Sequence, residues 1–216
     1  MKNKLIVFEG IDGVGKTKLS KLLTKELLKN RIECVRYEDY EKDIGFNLIK
    51  SFVKEECEID ASLFFYLASS IHKSKIIKQL LRKKWVICDR YVYSALAYHK
   101  IRGASMSLIC DPKKLPVVPP DFFFLVKVDE KIRLERVKNR KDSTVYDLKT
   151  KKKNNLVGEM EAELERFKPI IAYNTDHNVR KIVKEIFELI TRNSKTKHGN
   201  FLGKNKAVLS WDEHRR

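Results

Sequence analysis

The run Leu5-Ile6-Val7-Phe8-Glu9-Gly10-Ile11-Asp12-Gly13-Val14-Gly15-Lys16-Thr17 leads from an apolar segment into Gly-x-x-x-x-Gly-Lys-Thr. That spacing binds the phosphates of a nucleoside triphosphate. Gly10, Gly13 and Gly15 let backbone N–H groups converge on phosphate oxygens, Lys16 places a cation between the outer phosphates, and the Thr17 hydroxyl is suited to ligating Mg²⁺. A second chemical group closes another apolar run: Trp85-Val86-Ile87-Cys88 ends in Asp89-Arg90-Tyr91. A carboxylate and a guanidinium there emerge at the carboxyl end of a strand, where ligands bind in doubly wound sheets. Asp89 is suited to orienting Mg²⁺ through its water shell, and Arg90 to a bidentate grip on a phosphate.

The phosphate loop needs a strand before it and a helix after it. Leu19, Leu22, Leu23 and Leu27 repeat at helical spacing beyond the loop, which predicts a helix over about 16–29 that stops at Asn30. Further strand-like runs lie at Glu33–Tyr37, Trp85–Asp89, Phe122–Val128 and Ile170–Tyr173, and the first strand covers Lys4–Phe8. Amphipathic patterns separate them: one with Ile44, Leu48, Ile49, Phe52 and Val53, one over about 60–81, and others over about 130–139, 156–167 and 179–192. The alternation predicts an α/β fold with a five-stranded parallel sheet and helices on both faces. Pro119-Pro120-Asp121 is a stiff approach to the fourth strand. The segment of about 140–155 carries dense charge with little periodic apolar content and reads as a basic lid over the site. Residues 1–192 form one domain on this reading, and 193–216 a flexible basic tail in which Phe201, Leu202, Val208, Leu209 and Trp211 are available for docking.

At 216 residues and 43% hydrophobic content the chain can bury a substantial core. No apolar run is long enough to span a bilayer and the N-terminus shows no signal-peptide pattern, which points to the cytoplasm. Cys34, Cys57, Cys88 and Cys110 are widely spaced and read as reduced thiols, not metal ligands. The net charge of +17 raises nucleic acid as a partner, but a cleft that holds two phosphorylated nucleotides also needs positive potential.

Asp89-Arg90-Tyr91-Val92-Tyr93-Ser94-Ala95-Leu96-Ala97-Tyr98 resembles the Asp-Arg-Tyr-x-x-Ser-x-x-Ala-Tyr signature of thymidylate kinases, which phosphorylate dTMP with ATP. The similarity includes Phe8-Glu9-Gly10-Ile11-Asp12, Arg36-Tyr37 and Pro120-Asp121, and covers most of the first 190 residues. It implies a P-loop NTPase of the nucleoside-monophosphate-kinase type, a Mg²⁺ requirement, a pyrimidine nucleoside monophosphate as acceptor, and a homodimer. Asp12 matches the carboxylate that accepts from the deoxyribose 3′-hydroxyl, while Arg36 and Arg90 match the arginines that hold the acceptor phosphate. Ser94 belongs to the same signature. Tyr98 matches the aromatic near the sugar C2′, and Phe65 or Tyr66 the ring stacked on the pyrimidine. Gly13 and Val14 stand where some members carry a catalytic Arg, so a lid cation must meet the transferring phosphoryl group: Arg140 first, then Arg136 and Lys141.

Two positions depart from the pattern. Ser70 stands where a base-binding Arg is usual, leaving His72 or Lys73 to substitute, and Glu38 replaces the Pro after Arg36-Tyr37. These departures keep dUMP, UMP or another monophosphate open as alternative acceptors. A nucleotide-responsive nucleic-acid-binding protein using Lys149, Lys151, Lys152, Lys153 and the tail is the alternative of a different class, although no helix-turn-helix or RNA-binding signature accompanies it.

Overall fold

In the computed structural model, residues 2–39, 57–105, 111–139, 154–174, 179–192 and 208–209 are described. The pattern around Ile44–Val53, most of the expected lid including Arg140 and Lys141, the lysines at 149 and 151–153, and most of the tail lie outside them. The strands are β1 (Leu5–Glu9), β2 (Cys34–Arg36), β3 (Trp85–Asp89), β4 (Phe122–Lys127) and β5 (Ile170–Tyr173), with a two-residue β6 (Val208–Leu209). All pair in parallel in the order β2-β3-β1-β4-β5-β6. The five expected strands form, and the tail adds a sixth at the edge through Ile171 opposite Val208.

Every residue of β1 is buried, so this strand lacks the polar/apolar alternation of a one-sided sheet. Its side chains divide by parity. Ile6 and Phe8 join Trp85 and Ile87 of β3 in a core completed by α1 (Lys16–Lys29) and α6 (Val179–Arg192). Leu5 and Val7 join Val86 and Cys88 on the opposite face, beneath α2 (Ile59–Leu80) and α3 (Val92–Ile101). The period of two thus distributes one apolar run between two helical layers.

Helix α3 carries no amphipathic stripe in the sequence because it is covered almost all round: Val92, Ala95, Leu96, Ala97 and His99 are all buried. The remaining helices are α4 (Glu130–Lys138) and α5 (Asn154–Glu165). Ion pairs fasten α5 to its neighbours, with Lys127 Nζ 3.0 Å from Glu161 and 2.7 Å from Glu165, and Lys100 Nζ 2.8 Å from Glu163. Among the described residues no helix is long and apolar enough to cross a membrane.

The chain leaves β1 toward β2 and β3 on one side and reaches β4 and β5 on the other. The crevice at the carboxyl end of β1 is therefore the topological switch point, the place where an open α/β sheet binds ligands. Phe124 stacks on Phe8 at 5.4 Å between ring centroids, directly beneath that crevice. Phe124→Ala is expected to destabilise the fold by about 3–5 kcal/mol, as measured by denaturant unfolding of the full chain.

Candidate active site

Between β1 and α1 the backbone turns tightly enough to need glycine. Gly10 has φ +142, and a Cβ there would meet the Val126 carbonyl oxygen at 2.5 Å, a backbone atom of the neighbouring strand that cannot yield. Gly15 has φ +94 and would drive a Cβ into the Asn174 side chain. Carbonyls of the loop find donors of their own on other elements. Asn174 Nδ2 donates to Val14 O at 2.6 Å, Arg136 Nη1 reaches the Gly13 and Val14 oxygens at 3.3 Å each, and Arg133 Nη1 lies 3.4 Å from Asp12 O. Arg133 is itself aimed by Glu130, which accepts from Nε and Nη2 at 2.6 Å each. Arg136, one of the expected catalytic cations, thus braces the back of the phosphate loop.

Lys16 is buried and donates to Ile11 O at 2.8 Å, folding its ammonium back over the loop. Burial, reinforced by the nearby Arg90 charge, pulls its pKa down to about 8 despite Asp89, Asp12 and Glu9. Thr17 Oγ1 donates to Asp89 Oδ2 at 2.6 Å, so the two expected Mg²⁺ partners meet across α1 and β3.

Arg90 joins the two signature segments. Its Nη2 lies 2.5 Å from Asp12 Oδ1 and its Nη1 3.0 Å from Ser94 Oγ. Burial pulls its pKa down, but Asp12, Glu9 and Asp89 outweigh that effect and hold the guanidinium charged. The backbone of Arg90 sits at φ +68, a left-handed conformation costly for a residue with a Cβ. Three hydrogen bonds retain it there: Arg90 N to Phe8 O at 2.9 Å, and Lys73 Nζ and Cys88 Sγ to Arg90 O at 3.0 and 3.1 Å.

Glu9, fully buried at the end of β1, accepts from the N–H groups of Tyr91 and Ser94 at 2.8 and 3.2 Å and from the Ser94 hydroxyl. Burial raises its pKa, against the pull of Arg90 and these bonds. Its charge at the close of an apolar strand was the available sequence signal for this role.

Arg36, 8% exposed, has its Nη2 3.4 Å from Glu38 Oε2, and Glu38 Oε1 accepts from Asp89 N at 2.5 Å. The acidic residue that departs from the family pattern is thereby a counterion for Arg36 and a brace for the end of β3. Burial raises the Glu38 carboxyl above its ordinary range, offset in part by the Asp89 N–H and the Lys73 charge.

On the α2–α3 side, Phe65 and Tyr66 meet edge to face with centroids 5.5 Å apart. Tyr98 accepts a hydrogen bond at its hydroxyl from Arg102 Nη1 at 2.8 Å. Ser70 turns its hydroxyl back onto Tyr66 O at 2.8 Å. Of the two residues expected to compensate for the missing Arg, His72 is exposed, while Lys73 reaches the site beneath Arg90 with its Nζ 4.4 Å from the Tyr37 ring centroid. The structure thus gathers Asp12, Lys16, Thr17, Arg36, Asp89, Arg90 and Ser94 around the carboxyl ends of β1, β2 and β3. Phe65, Tyr66 and Tyr98 lie on the adjoining helices. Arg133 and Asn174 join them although no motif contains them, and Glu9 joins them from the Phe8–Asp12 similarity, where it had no role assigned.

Comparison with known proteins agrees with this geometry. The family model for thymidylate kinase matches residues 8–186. A probable thymidylate kinase of Methanocaldococcus jannaschii is 36% identical over 140 residues, which span 64% of this chain and 71% of that protein. Another, from Methanococcus aeolicus, is 32% identical over 197 residues, 86% of this chain and 95% of the relative. The solved thymidylate kinase of Candida albicans has a TM-score of 0.63 at 21% identity, over 89% of this chain and 93% of that one, and speaks for the fold. The enzyme from Ehrlichia chaffeensis has a TM-score of 0.58 at 25% identity, over 88% and 100% respectively. A phosphate loop faced by Asp89 and Arg90, within a match that runs from β1 into α6, leaves one conclusion: the chain belongs to the thymidylate kinase family of P-loop nucleoside monophosphate kinases.

Proposed function

We propose that this kinase transfers the γ-phosphoryl group of ATP to dTMP, giving dTDP and ADP. The observation that carries the reading is the Asp12–Arg90–Ser94 cluster beside the phosphate loop, with the Arg36 cation on the next strand. The loop N–H groups and Lys16 hold the donor phosphates. Arg90 and Arg36 hold the acceptor phosphate and screen its repulsion from the donor, and Asp12 accepts from the sugar 3′-hydroxyl. An acceptor phosphate oxygen then bonds to the γ-phosphorus as the bond to the β–γ bridging oxygen breaks. Positioning and charge stabilisation supply the catalysis, with no covalent enzyme intermediate.

Thr17 and Asp89 fit Mg²⁺, since a hydroxyl and one carboxylate 2.6 Å apart match an ion that takes most other ligands from water and substrate phosphates. When bound, Mg²⁺ neutralises charge on the donor phosphates. Arg140 is our candidate for the cation that meets the transferring phosphoryl group. It follows α4 in sequence by two residues, and α4 already touches the phosphate loop through Arg133 and Arg136. Homodimer formation is supported by α2, whose outer face exposes Phe64 (54%) with Ala61 and Ala68. We place the activity in the cytoplasm. Burial holds the thiols of Cys34 and Cys88 up to about 11 and about 12, so both stay protonated there.

A coupled assay offering ATP and Mg²⁺ with a panel of monophosphates tests the reading, and absence of turnover with any pyrimidine monophosphate overturns it. Because Ser70 is committed to Tyr66 O, base discrimination rests on stacking and sugar contacts. Both dTMP and dUMP are therefore expected to react, and Ser70→Arg to shift the kcat/KM ratio toward dTMP. Arg90→Ala is expected to lower kcat/KM for the monophosphate by about a hundredfold or more while sparing ATP affinity. An effect confined to ATP would move Arg90 to the donor site.

Lys16 makes nucleotide binding pH-dependent. Bound phosphates favour the ammonium and raise its pKa above the value of about 8 in the empty site. Affinity is therefore complete below about pH 8 and falls as pH rises, by up to about tenfold per unit, until the pKa of the complex is reached. Calorimetry in buffers of different ionisation enthalpy should show proton uptake above pH 8, and Lys16→Arg should abolish it.

A further inference from the structure

One buried titratable group has no part in the chemistry above. His99 is 1% exposed in the seam between α2 and α3. Its Nδ1 lies 2.6 Å from Ala95 O, which can only accept, so Nδ1 carries the proton. In the neutral ring Nε2 is then an acceptor and takes the Ser62 hydroxyl hydrogen at 2.9 Å. Burial pushes the imidazole below its usual pKa, consistent with that neutral form. Two hydrogen bonds at opposite corners of the ring leave it no rotational freedom.

The fixed ring is wedged between two tyrosines. Tyr66 lies tilted against it at 5.4 Å between centroids, and Tyr98 stands edge-on at 5.3 Å. The seam is fastened beside it: Ser105 N and Oγ donate to the Asp60 carboxylate at 2.8 and 2.6 Å, and Ala104 N donates to His99 O at 2.9 Å.

We propose that the Ser62–His99 pair is a positioning unit that sets the spacing and tilt between Tyr66 and Tyr98, and so governs which nucleoside monophosphate the kinase prefers. This rests on the proposed kinase reading, with Tyr66, of the two rings Phe65 and Tyr66, taken as the one at the base and Tyr98 as the one at the sugar. The choice of imidazole follows from its shape: an aliphatic side chain of similar volume packs in the seam but rotates and shifts, whereas a ring bonded at both ends transmits a single geometry to both neighbours. Neither Ser62 nor His99 touches substrate; each acts through the tyrosines.

The test uses the full chain with Ser62→Ala, His99→Leu and His99→Gln, the last retaining a donor and an acceptor. Kinetics are measured with ATP against dTMP and UMP. His99→Leu is expected to raise KM for dTMP about tenfold and to narrow the kcat/KM preference for dTMP over UMP by about tenfold. The KM for ATP should remain within about twofold of the unmodified value, since the phosphate loop lies on other elements. Ser62→Ala should move the preference in the same direction by a smaller factor, and His99→Gln should restore most of it. A folded variant that loses thermal stability but keeps the unmodified preference would show that His99 is a core histidine only. Should His99→Leu not fold, an unchanged preference in Ser62→Ala overturns the proposal alone. Failure of the unmodified protein to phosphorylate either acceptor overturns the kinase reading, and this inference with it.

Discussion

A cluster of cations drawn together at the ends of three strands has to be balanced by anions of the protein itself. That constraint organises the site. Arg90 carries its charge throughout, and the Asp12 carboxylate 2.5 Å away, with Glu9 and Asp89 behind it, offsets the cost of burying it and raises its pKa. Arg36 has Glu38 beside it. Lys16 donates to a neutral carbonyl, and burial with the Arg90 charge pulls its pKa down to about 8 against the pull of Asp89, Asp12 and Glu9. On the proposed reading, phosphate binding is an exchange of partners, in which the carboxylates that balance Arg90 and Arg36 give way to the acceptor phosphate.

The same constraint explains the backbone strain. To place its guanidinium between Asp12 and Ser94, Arg90 adopts a left-handed conformation immediately after β3. Such a conformation costs on the order of 1–2 kcal/mol and persists only where surroundings over-determine it. Here Phe8 of β1, Lys73 of α2 and Cys88 of β3 each supply one hydrogen bond to the Arg90 backbone. Two strands and a helix thus converge on the backbone of one residue. Behind the phosphate loop the corresponding work falls to Arg133, Arg136 and Asn174, whose donors satisfy the loop carbonyls of Asp12, Gly13 and Val14.

What the sequence made legible was local. The phosphate loop, the Asp89-Arg90 pair and the apolar runs of β1, β3 and β4 each lie within a dozen residues, and their spacing carries their meaning. Helix α3 escaped because burial on nearly every side erases the stripe by which a helix is recognised, although its residues had been singled out as a family signature. The bracing residues escaped for a different reason. Asn174 meets Val14 across 160 positions and Arg133 meets Asp12 across 121, distances over which no periodicity connects donor to acceptor. Glu38 was readable as an anomaly, an acid facing phosphate, but its purpose required its neighbours.

The two departures from the family pattern act together on the acceptor side. Replacing an Arg by Ser70 removes a cation, and Glu38 adds an anion, so the potential there is lower than the resemblance alone would imply. Lys73 partly offsets this, since its ammonium lies against Tyr37 and the Arg90 carbonyl and its charge acts on Glu38. Burial also raises the Glu38 carboxyl, so protonation is less costly there than for an exposed glutamate. On the proposed reading, in which Arg36 holds the acceptor phosphate, Glu38 is the counterion that the phosphate displaces, while its Oε1 keeps the Asp89 amide.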